Sequence, residues 1–282
     1  MPLEIFLMVL AAALLHATWN AMLKSGSGDR PGMIKGFCAV QVALSLCLAP
    51  FVEFPAAASW PYLLGSTVIS TAMWLMLNRA YQTSELSLVY PLARGSGPLV
   101  VALLSTLLLD ETLSRPALLG VLLIALGIIS LALARGAAGL RDRRAVALAL
   151  TMGVMIGVYS VLDGLGARVA GSASSYFIWV ALIASLQGFA AVYWLHPVRA
   201  GAEGRNGMRA GIASGVIAYA CSWIIVWAYT VAPLALVSAL RETSIVFAVV
   251  IGVVFLKERL SLARLASIAT TLVGTTILKV SR

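Results

Sequence analysis

Arg94 and Arg241 each stand inside a long apolar stretch of a chain that is 61% hydrophobic. A charge at such a position costs ~2.5–3.5 kcal/mol on insertion scales, so it faces either a partner or a polar cavity. A guanidinium donates two parallel hydrogen bonds to a carboxylate or phosphonate. The pair therefore points to recognition of a small molecule bearing an anionic group. Tyr90 lies one helical turn before Arg94, and Ser238 and Ser244 lie on the turns flanking Arg241. Pro91, Gly95, Gly97 and Pro98 surround Arg94 and predict a kinked or locally unwound span there, with freed backbone groups lining a polar cavity. The structural alternative is that each arginine snorkels to an interface or pairs with Glu242 or Asp163.

A second constellation lies near the N-terminus. His16, Asn20 and Lys24 follow one another at four-residue steps and share one helical face, flanked by Trp19. Tyr159 and Asp163 have the same spacing in the corresponding helix of the second half, and Trp74 and Asn78 have it further along the first. Tyr219, Trp223 and Trp227 form a third such stripe. Mid-span aromatics beside Asn or Asp suit a substrate surface, whereas the bland reading of a Trp/Tyr stripe is packing or an interfacial belt. His16 is a proton or substrate site, or else one partner of an interhelical hydrogen bond. Asp163 is the expected acidic group for coupling. Tyr81, part of a repeated Ala-Tyr pair, completes the candidate substrate-binding set.

Positions like these require elements that cross a bilayer, and composition supplies them. Only 11% of the 282 residues are charged and mean hydropathy is +0.98, whereas a soluble domain carries about 25% charged residues. A crossing takes about 20 apolar residues. Such runs are predicted at 3–23, 33–52, 60–80, 86–109, 116–134, 145–165, 174–195, 208–230, 234–256 and 261–279, separated by short links rich in Gly, Pro and charge. The first run has no basic leader segment and is expected to remain as a helix. Cys38, Cys47 and Cys221 lie in apolar stretches without pairing or metal-ligand spacing, so neither disulfides nor a metal site is expected.

The spans repeat. Residues 80–92 and 228–240 share six identities in thirteen positions, among them Tyr81 with Tyr229. After one gap Arg94 meets Arg241, the run from Glu111 to Ser114 meets that from Glu258 to Ser261, and Gly127 meets Gly274. Apolar composition alone does not align tyrosine, arginine and glutamate in the same order. The chain divides into a first five-helix repeat over 1–134, a basic connecting loop at 135–144 and a second repeat over 145–282. An odd number of spans per half makes the second copy enter the membrane from the opposite side. Inverted repeats of this kind set a substrate site near the midplane.

The pattern Ala-Tyr-x-x-x-x-Leu-x-Leu-Val, an apolar helix, Glu-x-Leu-Ser and a Gly-containing helix occurs at 80–127 and again at 228–274. Together with Trp19, Asn20 and Lys24 closing the first helix, it resembles the EamA-type drug/metabolite transporter superfamily over essentially the whole chain. The general layout is most similar to bacterial amino-acid exporters of the YddG type. The resemblance implies an all-α integral membrane protein of ten transmembrane helices, two inverted five-helix repeats around a central cavity, and alternating access. Small multidrug-resistance transporters resemble half of this architecture and bind cations through a first-helix glutamate. Here the first span has only Glu4, near the terminus, which counts against a simple cationic drug pump.

The net charge of +9 belongs to the links rather than to a nucleic-acid surface. Fourteen Lys and Arg flank the links after spans one, three, five, seven and nine, against four on the other side. The positive-inside rule then sets both termini outside in a cytoplasmic (inner) membrane, opposite to what the family resemblance implies. With no HExxH, aspartate dyad or nucleotide-binding loop in the sequence, an intramembrane enzyme has little support, and no cofactor or ATPase subunit is implied. The expectation is an exporter of amino acids, aromatic or other apolar ones included, or related amphoteric metabolites. An organic-anion, phosphonate or drug transporter is the alternative.

Overall fold

Runs of about twenty apolar residues have one way to satisfy their backbone groups in hydrocarbon without a neighbour, and that is the α-helix. The computed structural model describes residues 1–25, 30–83, 86–133, 142–195, 205–254 and 261–280. Within them the first half forms α1 (Leu3–Ser25), α2 (Arg30–Leu48), α3 (Trp60–Thr83), α4 (Leu86–Leu109) and α5 (Arg115–Leu133). The second half forms α6 (Arg143–Val169), α7 (Ala173–Leu195), α8 (Arg205–Val231), α9 (Leu234–Arg241), α10 (Ser244–Val254) and α11 (Leu262–Val280). The pair α9–α10 makes one crossing, so the described residues form ten. Eight stretches are long and apolar enough to span a bilayer and Arg115–Leu131 is a shorter apolar one. The remaining crossing, α3, has 24 residues, or about 36 Å of helix. The fold is all-α and membrane-spanning. Most of the connecting segment, 134–141, lies outside the described residues.

Helix ends follow local chemistry. Asp142 caps α6, its Oδ1 accepting from the backbone N–H of Arg144 at 2.9 Å and of Ala145 at 3.2 Å. Asp110 leaves α4 with φ 52°, a left-handed exit that turns the chain so that Glu111 follows immediately. Leucines such as Leu103, Leu107, Leu118, Leu122, Leu126 and Leu272 are exposed while Ser45, Ser66, Ser160 and Ser238 are buried. That is the polarity expected where lipid surrounds the protein and small polar residues join helices.

The two halves interlock by a twofold exchange. α4 packs on α6, as the α9–α10 crossing packs on α1; α3 packs on α6, as α8 packs on α1; α2 packs on α8, as α7 packs on α3. The crossing of α5 with α11 maps onto itself. Arg241 follows Arg94 by 147 positions, and the same offset relates both sides of this crossing. A Cβ at Gly127 would meet Thr271 Oγ1 at 2.6 Å and the Ser267 carbonyl at 3.0 Å. A Cβ at Gly274 would meet Ile124 Cγ1 at 2.9 Å and the Gly120 carbonyl at 2.8 Å. Shifting Gly120, Ile124 and Gly127 by the repeat offset gives Ser267, Thr271 and Gly274. A twofold relation between halves of five crossings puts its axis in the membrane plane, which is the inverted repeat.

The break in the backbone falls elsewhere than the sequence suggests. Despite Pro91 and Pro98, α4 runs unbroken from Leu86 to Leu109. Ser96 Oγ donates to the Leu92 and Ala93 carbonyls at 2.9 and 3.2 Å, and close contacts with α5 and α6 at Gly95, Gly97 and Gly153 hold the helix together. The equivalent crossing, with no internal proline, is the one that breaks, at Glu242 and Thr243. Thr243 N, Ile245 N and Val246 N bond three residues back, to Leu240, Glu242 and Thr243 carbonyls at 2.9–3.1 Å. Thr243 Oγ1 takes up the Leu240 carbonyl at 2.7 Å. A tight turn of this kind inside a helix is a common mark of a functional hinge.

Candidate functional site

The break in the ninth crossing brings Glu242 against α4. Arg94 Nε lies 2.7 Å from Glu242 Oε2, and Arg94 Nη2 donates to Ser244 Oγ at 3.1 Å. The Tyr90 ring sits 5.9 Å from the same guanidinium, within reach of a cation–π contact. Arg241 touches the other oxygen of the carboxylate only at 3.4 Å, Nη2 to Oε1. Glu242 is 1% exposed and Arg241 8%. Arg241 Nε and Ser238 Oγ are buried and have no hydrogen-bond partner among the described residues.

Two guanidiniums thus share one carboxylate. Within this group the guanidiniums outnumber the carboxylate by one, and a buried donor without an acceptor costs ~1–3 kcal/mol or more when charged. A single anionic group on a small molecule answers both deficits. Tyr159, Tyr229 and Cys221 also lie within electrostatic reach of Arg241, and His16 lies within reach of both arginines. His16 Nδ1 is 4.0 Å from Cys221 Sγ, and its ring meets Trp19 edge-on at 5.1 Å. His16, Tyr90, Arg94, Tyr159 and Arg241, picked out from four different crossings, are therefore brought together, with Trp19 at the margin.

Other candidates stand apart. Asp163 Oδ1 accepts from Ser66 Oγ at 2.5 Å and from Tyr176 Oη at 3.3 Å. It interacts with Arg241 through space without an ion pair to it among the described residues. Asn20 Nδ2 donates to the His16 carbonyl of its own helix at 2.8 Å. Tyr219 Oη and Ser45 Oγ are 3.2 Å apart, and Trp223 Nε1 donates to Ser174 Oγ at 3.0 Å. Phe177 packs against both, 4.7 Å from the Tyr219 ring and 6.0 Å from that of Trp223, in a separate apolar cluster of α3, α6, α7 and α8. Trp74 is half-buried on α3. The side chains of Lys24, Asn78 and Tyr81 lie outside the described residues.

Sequence reasoning treated Glu242 only as a possible partner for an arginine. The signal was present: an acid next to a base on one helix cannot face it well, so an intramembrane Arg-Glu pair needs a third charge on another helix. Glu111, which the repeat pairs with Glu258, stands beside the start of α9 as a cap. It fills that place through Oε2, which accepts from Leu234 N at 3.0 Å, while Oε1 binds Arg168 Nη2 at 2.7 Å.

No curated protein matches the chain. A protein known from a crystal structure superposes with a TM-score of 0.78 at 19% identity, covering 98% of this chain and 96% of its own. At that identity the likeness is one of fold. With ten crossings, an inverted repeat and polar groups meeting between the halves, the chain is a multi-pass membrane protein whose residues 3–133, the whole of the first five-helix half, match the EamA-like transporter family.

Proposed function

We propose that the protein is a secondary transporter whose substrates are small molecules with one carboxylate or similar anionic group, moved by alternating access between the two halves. Amino acids, with aromatic and other apolar ones included, carried outward are the leading candidates; organic anions and phosphonates are the close variant. The observation that carries this reading is the pair of arginines, Arg241 buried and Arg94 partly buried, sharing the single carboxylate of Glu242, with Arg241 Nε lacking a partner among the described residues. Aromatic side chains at its edge, Tyr90, Tyr159 and Trp19, suit the apolar part of such a substrate. The halves divide at the basic segment 135–144, and the excess of Lys and Arg on one side favours an inner membrane with both termini outside. A reporter fused to the C-terminus that is active only in the cytoplasm overturns that orientation.

The deciding measurement is counterflow in proteoliposomes across a panel of amino acids, organic anions and quaternary amines. Saturable exchange of carboxylate-bearing compounds is expected. Exchange of quaternary amines alone overturns the anion reading.

A further inference from the structure

We propose that Glu242 is an internal stand-in for the substrate's anionic group: it holds the two arginines in the empty protein, and takes up a proton when a substrate displaces it. The inference rests on the reading that Arg94 and Arg241 bind an anion.

Three observations lead to it. First, the carboxylate has no recorded donor among the described residues other than the arginines, Arg94 Nε at 2.7 Å and Arg241 Nη2 at 3.4 Å. Asp163 differs, being held by the hydroxyls of Ser66 and Tyr176, and Glu111 differs, holding a backbone N–H. An anion that takes over the guanidiniums therefore leaves Glu242, 1% exposed, as an unpaired buried charge. Such a charge costs several kcal/mol, and neutralisation relieves it. Second, Glu242 stands at the turn that interrupts the ninth crossing, where the backbone can shift with the side chain without breaking a continuous helical ladder. Third, the acid has no twin. By the repeat offset Glu242 corresponds to Gly95, where a Cβ would already meet Ile129 Cγ1 at 2.6 Å. The arginines are duplicated and the carboxylate is not, so the site holds one more positive group than the resident acid neutralises.

The proton has few other places to go. Around the group, α1 presents His16, α4 presents Tyr90 and Arg94, α6 presents Tyr159 and Asp163, and α8 presents Cys221 and Tyr229. α5 has no titratable residue beyond Arg115 at its first position, α11 has only Arg264 and Lys279 towards its ends, and α9–α10 has none besides Arg241 and Glu242. Displacement breaks the Glu242 contacts to Arg94 and Arg241, the incoming anion makes its own, and a proton from the water open to the site forms an O–H bond on the Glu242 carboxyl. Anion and proton then bind together. Anion binding raises the proton affinity of Glu242, and protonation raises the anion affinity by the same factor. Lower pH accordingly favours anion binding, and net movement follows the summed substrate and proton gradients.

The test is calorimetry on the purified protein in lipid nanodiscs, using benzoate and methanesulfonate, anions that stay ionised across the range used. Each titration is repeated in two buffers of different ionisation enthalpy to count protons. Wild type is expected to take up about one proton per anion near neutral pH, with affinity falling about tenfold per pH unit on the alkaline side. Glu242→Gln, a mimic of the protonated acid, is expected to bind with no uptake and a flat pH profile, and Glu242→Asp to retain uptake. Binding by wild type without proton uptake overturns the proposal and leaves the anion reading standing. Uptake that persists in Glu242→Gln puts the proton on another group and overturns it too. Failure of wild type to bind either anion overturns both readings. If Glu242→Gln does not fold, the wild-type proton count and pH slope still decide.

Discussion

Glu111–Arg168 and Arg94–Glu242 are both ion pairs of 2.7 Å, but they differ in what is left over. At the first, Arg168 Nε donates to the Tyr229 carbonyl at 2.9 Å and Nη2 to that of Ala232 at 3.2 Å. Glu111 meanwhile holds the first N–H of α9. Together those contacts tie the ends of α4 and α6 to the end of α8 and the start of α9, beside the largest apolar cluster among the described residues. At the second, one carboxylate serves two guanidiniums, one contact is stretched to 3.4 Å, and Arg241 Nε has no acceptor among the described residues. Charges whose hydrogen-bonding capacity is used up hold a joint. Charges with buried hydrogen-bonding capacity left over are where a ligand's atoms have work to do.

The sharpest way to break this contrast is to remove the central guanidiniums. Arg94→Ala and Arg241→Ala are expected to lower counterflow of a carboxylate substrate by about 100-fold or more, since truncating one side of a buried charged contact costs ~2–5 kcal/mol. Yield and the elution profile of the purified protein are expected to stay close to wild type for Arg241→Ala, whose one ionic contact among the described residues is the long one. Normal transport by both variants makes these arginines structural.

Glu111→Ala tests the other side of the comparison. It strands Arg168 and uncaps α9, so a loss of about 2–3 kcal/mol is expected, discounted for the partial exposure of the pair. The readout is a lower thermal midpoint in detergent, with unchanged selectivity among substrates that the variant still carries. A change of selectivity without loss of stability makes this joint part of the site.

Much of this was legible in residue types and spacing, and what was not has identifiable causes. The apolar runs gave the fourth crossing its observed bounds, 86–109, because a leucine-rich run ends abruptly at Asp110 and Glu111. The repeat pairs Arg94 with Arg241, and both guanidiniums reach the Glu242 carboxylate. It did not foretell where the backbone breaks. Proline marks a lost hydrogen bond, but α4 is held by Ser96 and by its tightly packed neighbours, while the ninth crossing turns at Glu242, whose carboxylate meets Arg94 on another helix. Four-residue spacing aligned His16 with Asn20 and Tyr219 with Trp223 correctly along their helices. Spacing says nothing about which face looks towards the arginines, and the structure turns Tyr219 and Trp223 towards Phe177 instead.

The smallest expected effect probes the symmetry on which the comparison depends. Gly127 and Gly274 occupy matched places in the α5–α11 crossing, and a methyl group at either meets backbone and side-chain atoms of the opposing helix within 3.1 Å. Gly127→Ala and Gly274→Ala are each expected to cost about 1–2 kcal/mol through overpacking, seen as similar drops in thermal midpoint. Because both press on one self-related contact, the double variant is expected to cost less than the two singles added, the second methyl entering a crossing already spread by the first. Strict additivity indicates instead that the two positions strain separate contacts, and that the crossing is not a single rigid joint about which the halves are related.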